Sequence, residues 1–148
     1  MTMTRGLTLL ALLSGIGCVA GPGTTPGLAV DVELFAQTAS PVVELHCGTS
    51  GCHGTPDRPY AVYARSEYRA DPGDLLSDPP LNDDELRHNA IASLAFVQDV
   101  DDAAASALLR RPLHPAAGGS DHGGGAQFTN AQDPDYLVLA AWVDEVLR

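Results

Sequence analysis

Apolar residues recur at helical spacing in several segments of the chain, and residues that favour helix starts precede them. The clearest segment is the last one, where Asp133 can cap a helix and Pro134 suits its first position. Asn82 is a second such cap, and the three acidic residues after it favour the positive end of a helix dipole. Two long helices are therefore predicted. Their apolar stripes are Leu86, Ala90, Ile91 and Leu94 in the first, and Tyr136, Leu139, Ala140, Val143, Val146 and Leu147 in the second, with Trp142 at the edge.

Three shorter helices are predicted at residues 30–37, 41–47 and 102–110. Ser40 is expected to cap the second of them, because serine favours that position and a proline follows where the helix would begin. Residues 54–80 are rich in proline, glycine and aspartate and are predicted to be mostly irregular. No strand-like alternation persists in the sequence, so residues 30–148 are predicted to form one all-α domain with long loops.

Residues 1–17 have the pattern of a bacterial export signal. Arg5 supplies a positive charge, and the apolar run after it is too short to span a bilayer as a mature helix. Cys18 directly follows small residues and resembles the lipidated cysteine of bacterial lipoprotein precursors. We therefore expect a lipid on Cys18, a flexible tether at residues 18–29, and a protein anchored to a membrane in the periplasm or at the cell surface. Ordinary cleavage after Ala20 is the alternative, and it also exports the protein.

The charge of the chain is strongly one-sided. Nineteen acidic residues against eight arginines and no lysine give a formal net charge of −11. Such a surface repels nucleic acid and anionic lipid headgroups, so no nucleic-acid partner is expected. It suits a partner protein with a basic face, although solubility alone also explains an acidic surface. Aromatic residues make up only 5% of the chain, and this shortage leaves room for a bulky apolar cofactor.

Two of the three cysteines stand in one short motif, in which four residues separate Cys47 from Cys52 and His53 follows directly. Cys-x-x-Cys-His is the attachment site of c-type haem, where two thiols bond to the porphyrin and the histidine binds iron. The gap is longer here, and Gly48 and Gly51 are expected to let the backbone absorb it. A disulfide and a zinc site are the alternatives. A disulfide leaves the following histidine unexplained, and zinc needs a fourth ligand.

The motif and the residues after it resemble the small monohaem cytochrome c domains of secreted myxobacterial and planctomycete proteins. The matching residues are Cys47, Cys52, His53 and Gly54, then His122 to Gly125, and finally Tyr136 and Trp142. The resemblance spans about residues 30–148. It implies a small cytochrome c-like fold with covalently bound haem c, in which the N-terminal and C-terminal helices cross at the haem. It further implies that Tyr136 or Trp142 forms part of the haem wall.

Methionine cannot fill the sixth position of an iron bound by His53. The only methionines are Met1 and Met3, and both lie in the predicted export signal. Among the other histidines, His122 is expected to be the distal ligand, because the three glycines after it allow a tight loop that presents its ring. His114 is the alternative distal ligand, and an iron left open on that side is the third case.

The sequence therefore predicts an exported electron carrier, a c-type cytochrome that transfers one electron at a time and is not an enzyme. A peroxidase-like haem enzyme or a gas sensor with an open iron is the first alternative, and Arg110 and Arg111 are the arginines available for peroxidase chemistry. A non-haem binding module stapled by a disulfide is the second alternative. The acidic surface predicts a redox partner with a basic docking face.

Overall fold

The regular structure of the described residues, 30–97 and 100–148 of the computed structural model, consists of α-helices and short 3₁₀ turns. These residues are mostly helical and contain no β-strand, which confirms the predicted all-α class. The predicted export signal, the lipidation site at Cys18 and the tether lie outside the described residues. The helices are α1 (Val32–Gln37), α2 (Ala39–His46), α3 (Asp74–Ser77), α4 (Asp83–Leu94), α5 (Ala107–Arg110) and α6 (Pro134–Val146).

The helix predicted to begin after Ser40 starts earlier and lacks the expected cap. α2 begins at Ala39, so Ser40 lies inside its first turn, where it is buried and donates a hydrogen bond to Glu44 Oε1 at 3.0 Å. Thr38 separates α1 from α2, and its hydroxyl donates to the carbonyl of Leu34 at 2.6 Å. Because a single residue joins the two helices, the second begins at once and Ser40 is not a cap.

The helix predicted after Asn82 is present as α4 with the expected start. The Asn82 side chain accepts hydrogen bonds from the helix backbone, and the Glu85 side chain accepts one from the backbone N–H of Asn82, which together form a capping box. The predicted apolar face is wrong in part, since Ile91 is 53% exposed. Three polar residues four positions apart are fully buried instead, namely Glu85, Asn89 and Ser93. We call these three residues the polar ladder of α4.

The polar ladder is buried because an irregular segment, residues 60–70, lies along it and satisfies its hydrogen bonds. Glu85 bonds to Arg69 and to the backbone N–H of Ala70. Asn89 bonds to the backbone of Tyr63, and Ser93 bonds to the hydroxyl of Tyr60. Buried polar groups are tolerated when they are paired in this way. The spacing of apolar residues in the sequence is therefore not enough to predict which face of α4 is buried.

The first of these contacts is a fully buried ion pair. The guanidinium of Arg69 donates to both carboxylate oxygens of Glu85, at 3.0 and 2.9 Å, and neither side chain is exposed to solvent. Arg69 also donates to the backbone carbonyls of Pro79 and Pro80, at 2.9 and 3.3 Å. Burial alone raises the pKa of Glu85, but hydrogen bonds from Arg69 and from two backbone N–H groups outweigh it and hold the pKa below its usual 4.5. Glu85 is therefore charged at neutral pH, as the pair requires.

Glu85→Gln is expected to lower the free energy of unfolding by about 3–5 kcal/mol, because it leaves the positive charge of Arg69 buried without a partner. The folded-state pKa of Glu85 is lowered, so its stabilising contribution is present above the unfolded value of about 4.5 and is lost as the pH falls through the folded value. Urea unfolding at pH 7 and pH 3 measures both effects, and the wild-type protein should lose more stability between these two pH values than the variant.

The matched control is Glu145→Gln, the same change in an exposed ion pair with Arg148 on the surface. Exposed pairs contribute little, so this variant should lose less than about 1 kcal/mol. Equal losses in the two variants would contradict a special role for the buried pair.

The helix predicted at residues 102–110 is interrupted. Residues Ala103–Ala105 form a 3₁₀ turn, and Ser106 is then extended, with ψ at 144°, before α5 begins. Ser106 is fully buried, and its hydroxyl accepts the backbone N–H of Leu109 at 3.4 Å. A serine side chain competes for backbone groups in this way, which favours a helix start over a helix interior.

The last predicted helix is present as α6 with the expected start. Asp133 accepts the backbone N–H of Asp135 at 3.0 Å, and Pro134 occupies the first helical position. Trp142 is fully buried rather than at the edge of the stripe, and its ring meets Phe35 of α1 edge-on at 5.2 Å. α6 packs against α2 and α5, so both ends of the domain contribute to one core. Within the described ranges, no helix has the length and apolar character needed to cross a membrane.

Candidate functional site

A cavity of about 480 Å³ lies beyond the end of α2 and is bounded by the segments that carry the predicted site residues. Cys47 and Cys52 line it, and so do His53 and His122. Its exposed walls are mainly apolar. A cavity of this size can hold a small-molecule cofactor. The fold therefore brings together four residues that the sequence marks as a site, although His122 is far from the other three along the chain.

The cysteine–histidine motif folds into tight turns directly after α2. The backbone N–H of His53 donates to the carbonyl of Cys47 at 3.0 Å, across the five intervening residues. Inside this turn the backbone N–H of Cys52 donates to the carbonyl of Thr49 at 2.9 Å. The additional residues are thus absorbed within the loop, and both cysteines and the histidine still reach the same cavity.

Close backbone contacts in this loop require glycine at two positions. A Cβ on Gly54 would lie 2.0 Å from the carbonyl oxygen of Gly48, and a Cβ on Gly48 would lie 2.5 Å from the Cβ of Ala64. A Cβ on Gly51 would meet nothing within 4 Å. The prediction of Gly48 and Gly51 as the flexible pair is therefore half right, because the second glycine that the fold needs is Gly54.

The two thiols of the motif have different environments. Burial, with a smaller effect of the neighbouring Cys52, raises the pKa of Cys47 to about 12, so this group is a neutral thiol at physiological pH. Cys52 is partly exposed at the cavity. Both are free thiols in the structure and are not joined to each other. Two free thiols at one cavity are available to bond to a cofactor.

His53 is held by the segment that follows it. Its Nδ1 lies 2.7 Å from the backbone carbonyl of Tyr60, and because a carbonyl only accepts, Nδ1 carries the hydrogen. Burial lowers the pKa of His53 below its usual 6.5; the hydrogen bond to Tyr60 opposes this effect, and the nearby charges of His122 and Arg58 add to it. His53 is therefore neutral at physiological pH, and the lone pair of its Nε2 is free to bind a metal.

His122 has the same arrangement on the opposite segment of the cavity. Its Nδ1 lies 3.2 Å from the backbone carbonyl of Gly125, so this nitrogen also carries the hydrogen and Nε2 is free. Gly125 has φ at +77°, a conformation that favours glycine, and its N–H donates back to the carbonyl of His122 at 2.8 Å. A Cβ on Gly124 would stand 3.5 Å from the sulfur of Cys52. The glycine run thus forms a tight turn that presents His122 beside the cysteine motif.

The rings of His53 and His122 are neighbours in the cavity, with centroids 5.7 Å apart and planes 19° from parallel. Two imidazoles that bind one metal ion from opposite sides, each at about 2.0–2.1 Å, have ring centroids roughly 6 Å apart. The observed separation is close to that value. The centroid separation and the hydrogen on each Nδ1 are compatible with both rings binding one metal ion.

Hydrogen bonds give His114 and His88 the opposite tautomer. His114 Nδ1 accepts the backbone N–H of Ala116 at 3.1 Å, so a neutral ring carries its hydrogen on Nε2. His114 is exposed and is not part of the cavity lining. His88 Nε2 lies 2.9 Å from the carbonyl of Ala61, to which it donates, and the residue is on the exposed side of α4. Neither ring presents a free Nε2 to the cavity.

His46 lines the cavity but is bound to α6. Its Nε2 lies 2.8 Å from Asp135 Oδ2, and an ionised carboxylate only accepts, so this nitrogen carries a hydrogen. The ring also packs on Phe128, with centroids 4.8 Å apart. His46 therefore links the end of α2 to the first turn of α6.

The aromatic walls of the cavity are different from those that the resemblance implied. Tyr60 and Phe96 line it, with ring centroids 5.0 Å apart. Tyr136 and Trp142 are not among the lining residues and pack against other rings in the core. No local pattern marks Tyr60 or Phe96 as site residues, because each follows or lies within irregular chain and reaches the cavity only through the fold.

Two arginines border the cavity. Arg58 and Arg111 are lining residues, whereas Arg110 is not. Neither Arg58 nor Arg111 has a carboxylate within 4.0 Å in the part of the chain that the structure describes. Guanidinium groups beside an apolar cavity suit an apolar ligand that carries carboxylates, since arginine binds carboxylate in a fixed two-pronged geometry.

The protein side chains near the cavity do not complete a metal site by themselves. Across residues 30–97 and 100–148, no three His, Cys, Asp or Glu side chains are grouped closely enough to hold a metal ion. Comparison of the chain with protein-family models, with curated proteins and with solved structures finds no match in any of the three.

Proposed function

We propose that this chain is an exported monohaem c-type cytochrome that carries one electron at a time between redox partners. The proposal rests on one observation: the imidazoles of His53 and His122, each with a hydrogen-bonded Nδ1 and a free Nε2, are neighbours in a cavity that Cys47 and Cys52 also line. In this proposal the two thiols would bond to the porphyrin of a covalently attached haem, and the two imidazoles would bind its iron.

The residues at the cavity fit this cofactor in three respects. A porphyrin supplies four nitrogen ligands, so two imidazoles from the protein are sufficient. The apolar cavity with the rings of Tyr60 and Phe96 suits a flat, mostly apolar macrocycle, and Arg58 and Arg111 suit its two carboxylates. When bound, the haem iron supplies a centre that accepts and gives up one electron.

The role of the protein in electron transfer is to hold the two ligating side chains and to control their surroundings. The carbonyl of Tyr60 orients the ring of His53 and keeps the hydrogen on Nδ1, which makes Nε2 a stronger ligand. Two imidazole ligands favour a lower reduction potential than a histidine and a methionine. With His53 and His122 both bound, no position is left for a substrate, so we infer a carrier and not an enzyme.

The proposal extends to the fold and to the partner. We infer that the N-terminal helices cross α6 at the haem, because α2 packs against α6 and Phe35 of α1 meets Trp142 of α6 edge-on. A chain with a net charge of −11 suits a redox partner with a basic face, and salt would weaken their association. A lipid on Cys18 would anchor the protein to a membrane of the cell envelope, where we expect it to act.

A peroxidase-like haem enzyme or a gas sensor is the second candidate. One observation favours it, namely that Arg111 lines the cavity. This function requires that His122 is not bound to the metal, so that a position remains open for peroxide or a gas. The coordination of the iron therefore distinguishes the two candidates.

The full-length protein, secreted by a bacterium that has haem-attachment machinery, tests the proposal. We expect the mass of the polypeptide plus one haem, a band that stains for haem on a denaturing gel, and an absorption spectrum of six-coordinate, low-spin iron in the oxidised and reduced states. A high-spin spectrum with rapid carbon monoxide binding would favour the enzyme or sensor. A colourless protein without added mass would overturn the proposal.

A further inference from the structure

We propose that Ser93 and Asn89, two members of the polar ladder of α4, are positioning residues that set the hydrogen bond of His53 and thereby the reduction potential of the bound haem. This inference rests on the proposed function, because its effect on potential needs a metal on His53. Neither residue lines the cavity. They act through residues 60–63, the segment that lies between α4 and the cysteine motif.

Tyr60 connects Ser93 to His53. Its backbone carbonyl accepts the hydrogen of His53 Nδ1 at 2.7 Å, and its ring packs on the imidazole with centroids 4.8 Å apart. Its hydroxyl lies 2.9 Å from the hydroxyl of Ser93, and both residues are buried. Since water has little access to this contact, Ser93 is the group that holds the far end of the Tyr60 side chain.

Asn89 holds the other end of the same segment. The backbone N–H of Tyr63 donates to Asn89 Oδ1 at 2.7 Å, and Asn89 Nδ2 donates to the carbonyl of Tyr63 at 2.8 Å. Between these points, the backbone N–H of Val62 donates to the carbonyl of His53 at 2.9 Å. The segment is therefore fixed to α4 at both ends and to the cysteine motif in the middle. A shift of the segment against α4 must move the carbonyl that orients His53.

The expected consequence is a change in the redox equilibrium. A hydrogen bond from the Nδ1 of a ligating histidine to a carbonyl makes the ring more basic, which favours the oxidised, more positive metal. Ser93→Ala releases Tyr60 and should weaken that hydrogen bond. One hydrogen bond changes an equilibrium by a factor of about two to ten, and because Ser93 acts indirectly we expect the oxidised-to-reduced ratio at a fixed ambient potential to fall roughly threefold.

The experiment compares Ser93→Ala, Tyr60→Phe and the double variant in the haem-loaded, full-length protein. The matched control is Ser40→Ala, because Ser40 is also buried and its hydroxyl bonds to Glu44 at 3.0 Å, whereas the hydroxyl of Tyr60 bonds to Ser93. The readouts are the redox equilibrium and the solvent exchange rate of the His53 Nδ1 hydrogen in the reduced protein, measured by nuclear magnetic resonance. If Ser93→Ala fails to fold, Tyr60→Phe removes the same hydrogen bond from the other side.

Ser93→Ala and Tyr60→Phe should shift the redox equilibrium in the same direction and should increase the solvent exchange rate of the His53 Nδ1 hydrogen. The double variant should differ little from either single variant. Ser40→Ala should lower thermal stability without either change. Unchanged potential and exchange in variants that still carry haem would overturn the inference and leave the proposed function standing.

If the secreted chain carries no haem, the proposed function fails, and the positioning role is then measured by nitrogen resonances of the His53 ring. A shift of hydrogen from Nδ1 to Nε2 in Ser93→Ala, absent in Ser40→Ala, would support the role. An unchanged tautomer would overturn it.

Discussion

Replacing both Cys47 and Cys52 with serine is expected to abolish covalent haem attachment. The thiols are the groups that bond to the porphyrin in a c-type site, and a serine hydroxyl does not replace them. The secreted variant should have the mass of its polypeptide alone and should show no band when a denaturing gel is stained for haem. Because attachment either occurs or fails for each chain, we expect a complete loss.

Single variants separate the effect on attachment from the effect on the core. Cys47 is buried among apolar residues, so a serine there also buries a hydroxyl, at a cost of about 1–3 kcal/mol if it finds no partner. Cys52 is only partly buried, so Cys52→Ser should test attachment with less damage to the fold. We expect Cys52→Ser to keep at most one thioether bond and to bind haem more weakly.

The control is Cys18→Ser, the same chemical change at the third cysteine of the chain. This variant should retain covalent haem and, if Cys18 is lipidated as predicted, should lose its lipid and its membrane attachment. Haem staining that persists after both Cys47 and Cys52 are replaced would contradict the assignment of these thiols as the attachment site.

The second large effect is expected from His122→Ala. Removing this imidazole should convert a six-coordinate, low-spin iron into a five-coordinate, high-spin one, because His122 is the ring placed beside His53 with its Nε2 free. The variant should bind carbon monoxide rapidly, and added imidazole should restore the low-spin spectrum. Absorption spectra of the oxidised and reduced protein and the kinetics of carbon monoxide binding measure these changes.

His114→Ala is the matched control for this variant. The ring of His114 is exposed, and its Nδ1 accepts a backbone hydrogen bond, so its loss should leave the spectrum unchanged. A low-spin spectrum that survives in His122→Ala and disappears in His114→Ala would transfer the distal role to His114. A wild-type protein that is already high-spin would mean that His122 does not bind the iron.

Helix starts could be predicted from the sequence because they depend on neighbouring residues. Asn82 and Asp133 accept hydrogen bonds from backbone groups two or three positions later, and both caps are present as expected. Ser40 has the same local pattern, but the close approach of α1 and α2 places it inside a helix instead. Ser106 interrupts a segment whose composition favours a continuous helix. Local rules therefore succeed where no neighbouring element competes.

The sequence by itself determined the chemistry that this protein can offer to a cofactor. Two thiols and a histidine stand in one short motif, a second histidine precedes a run of glycines, and the only methionines lie in the predicted export signal. These properties depend on which residues are present and on their spacing. They define a set of candidate ligands and leave both His122 and His114 in it.

Only the tertiary structure decided which nitrogen each histidine offers and which rings meet. The hydrogen-bond partners of the histidines are as close as two residues and as far as 89 along the chain, and each partner selects a tautomer. The same holds for the polar ladder of α4, which is buried because residues 60–70 return to pair with it. Burial and tautomers depend on contacts between distant segments, and a pattern of neighbouring residues does not contain that information.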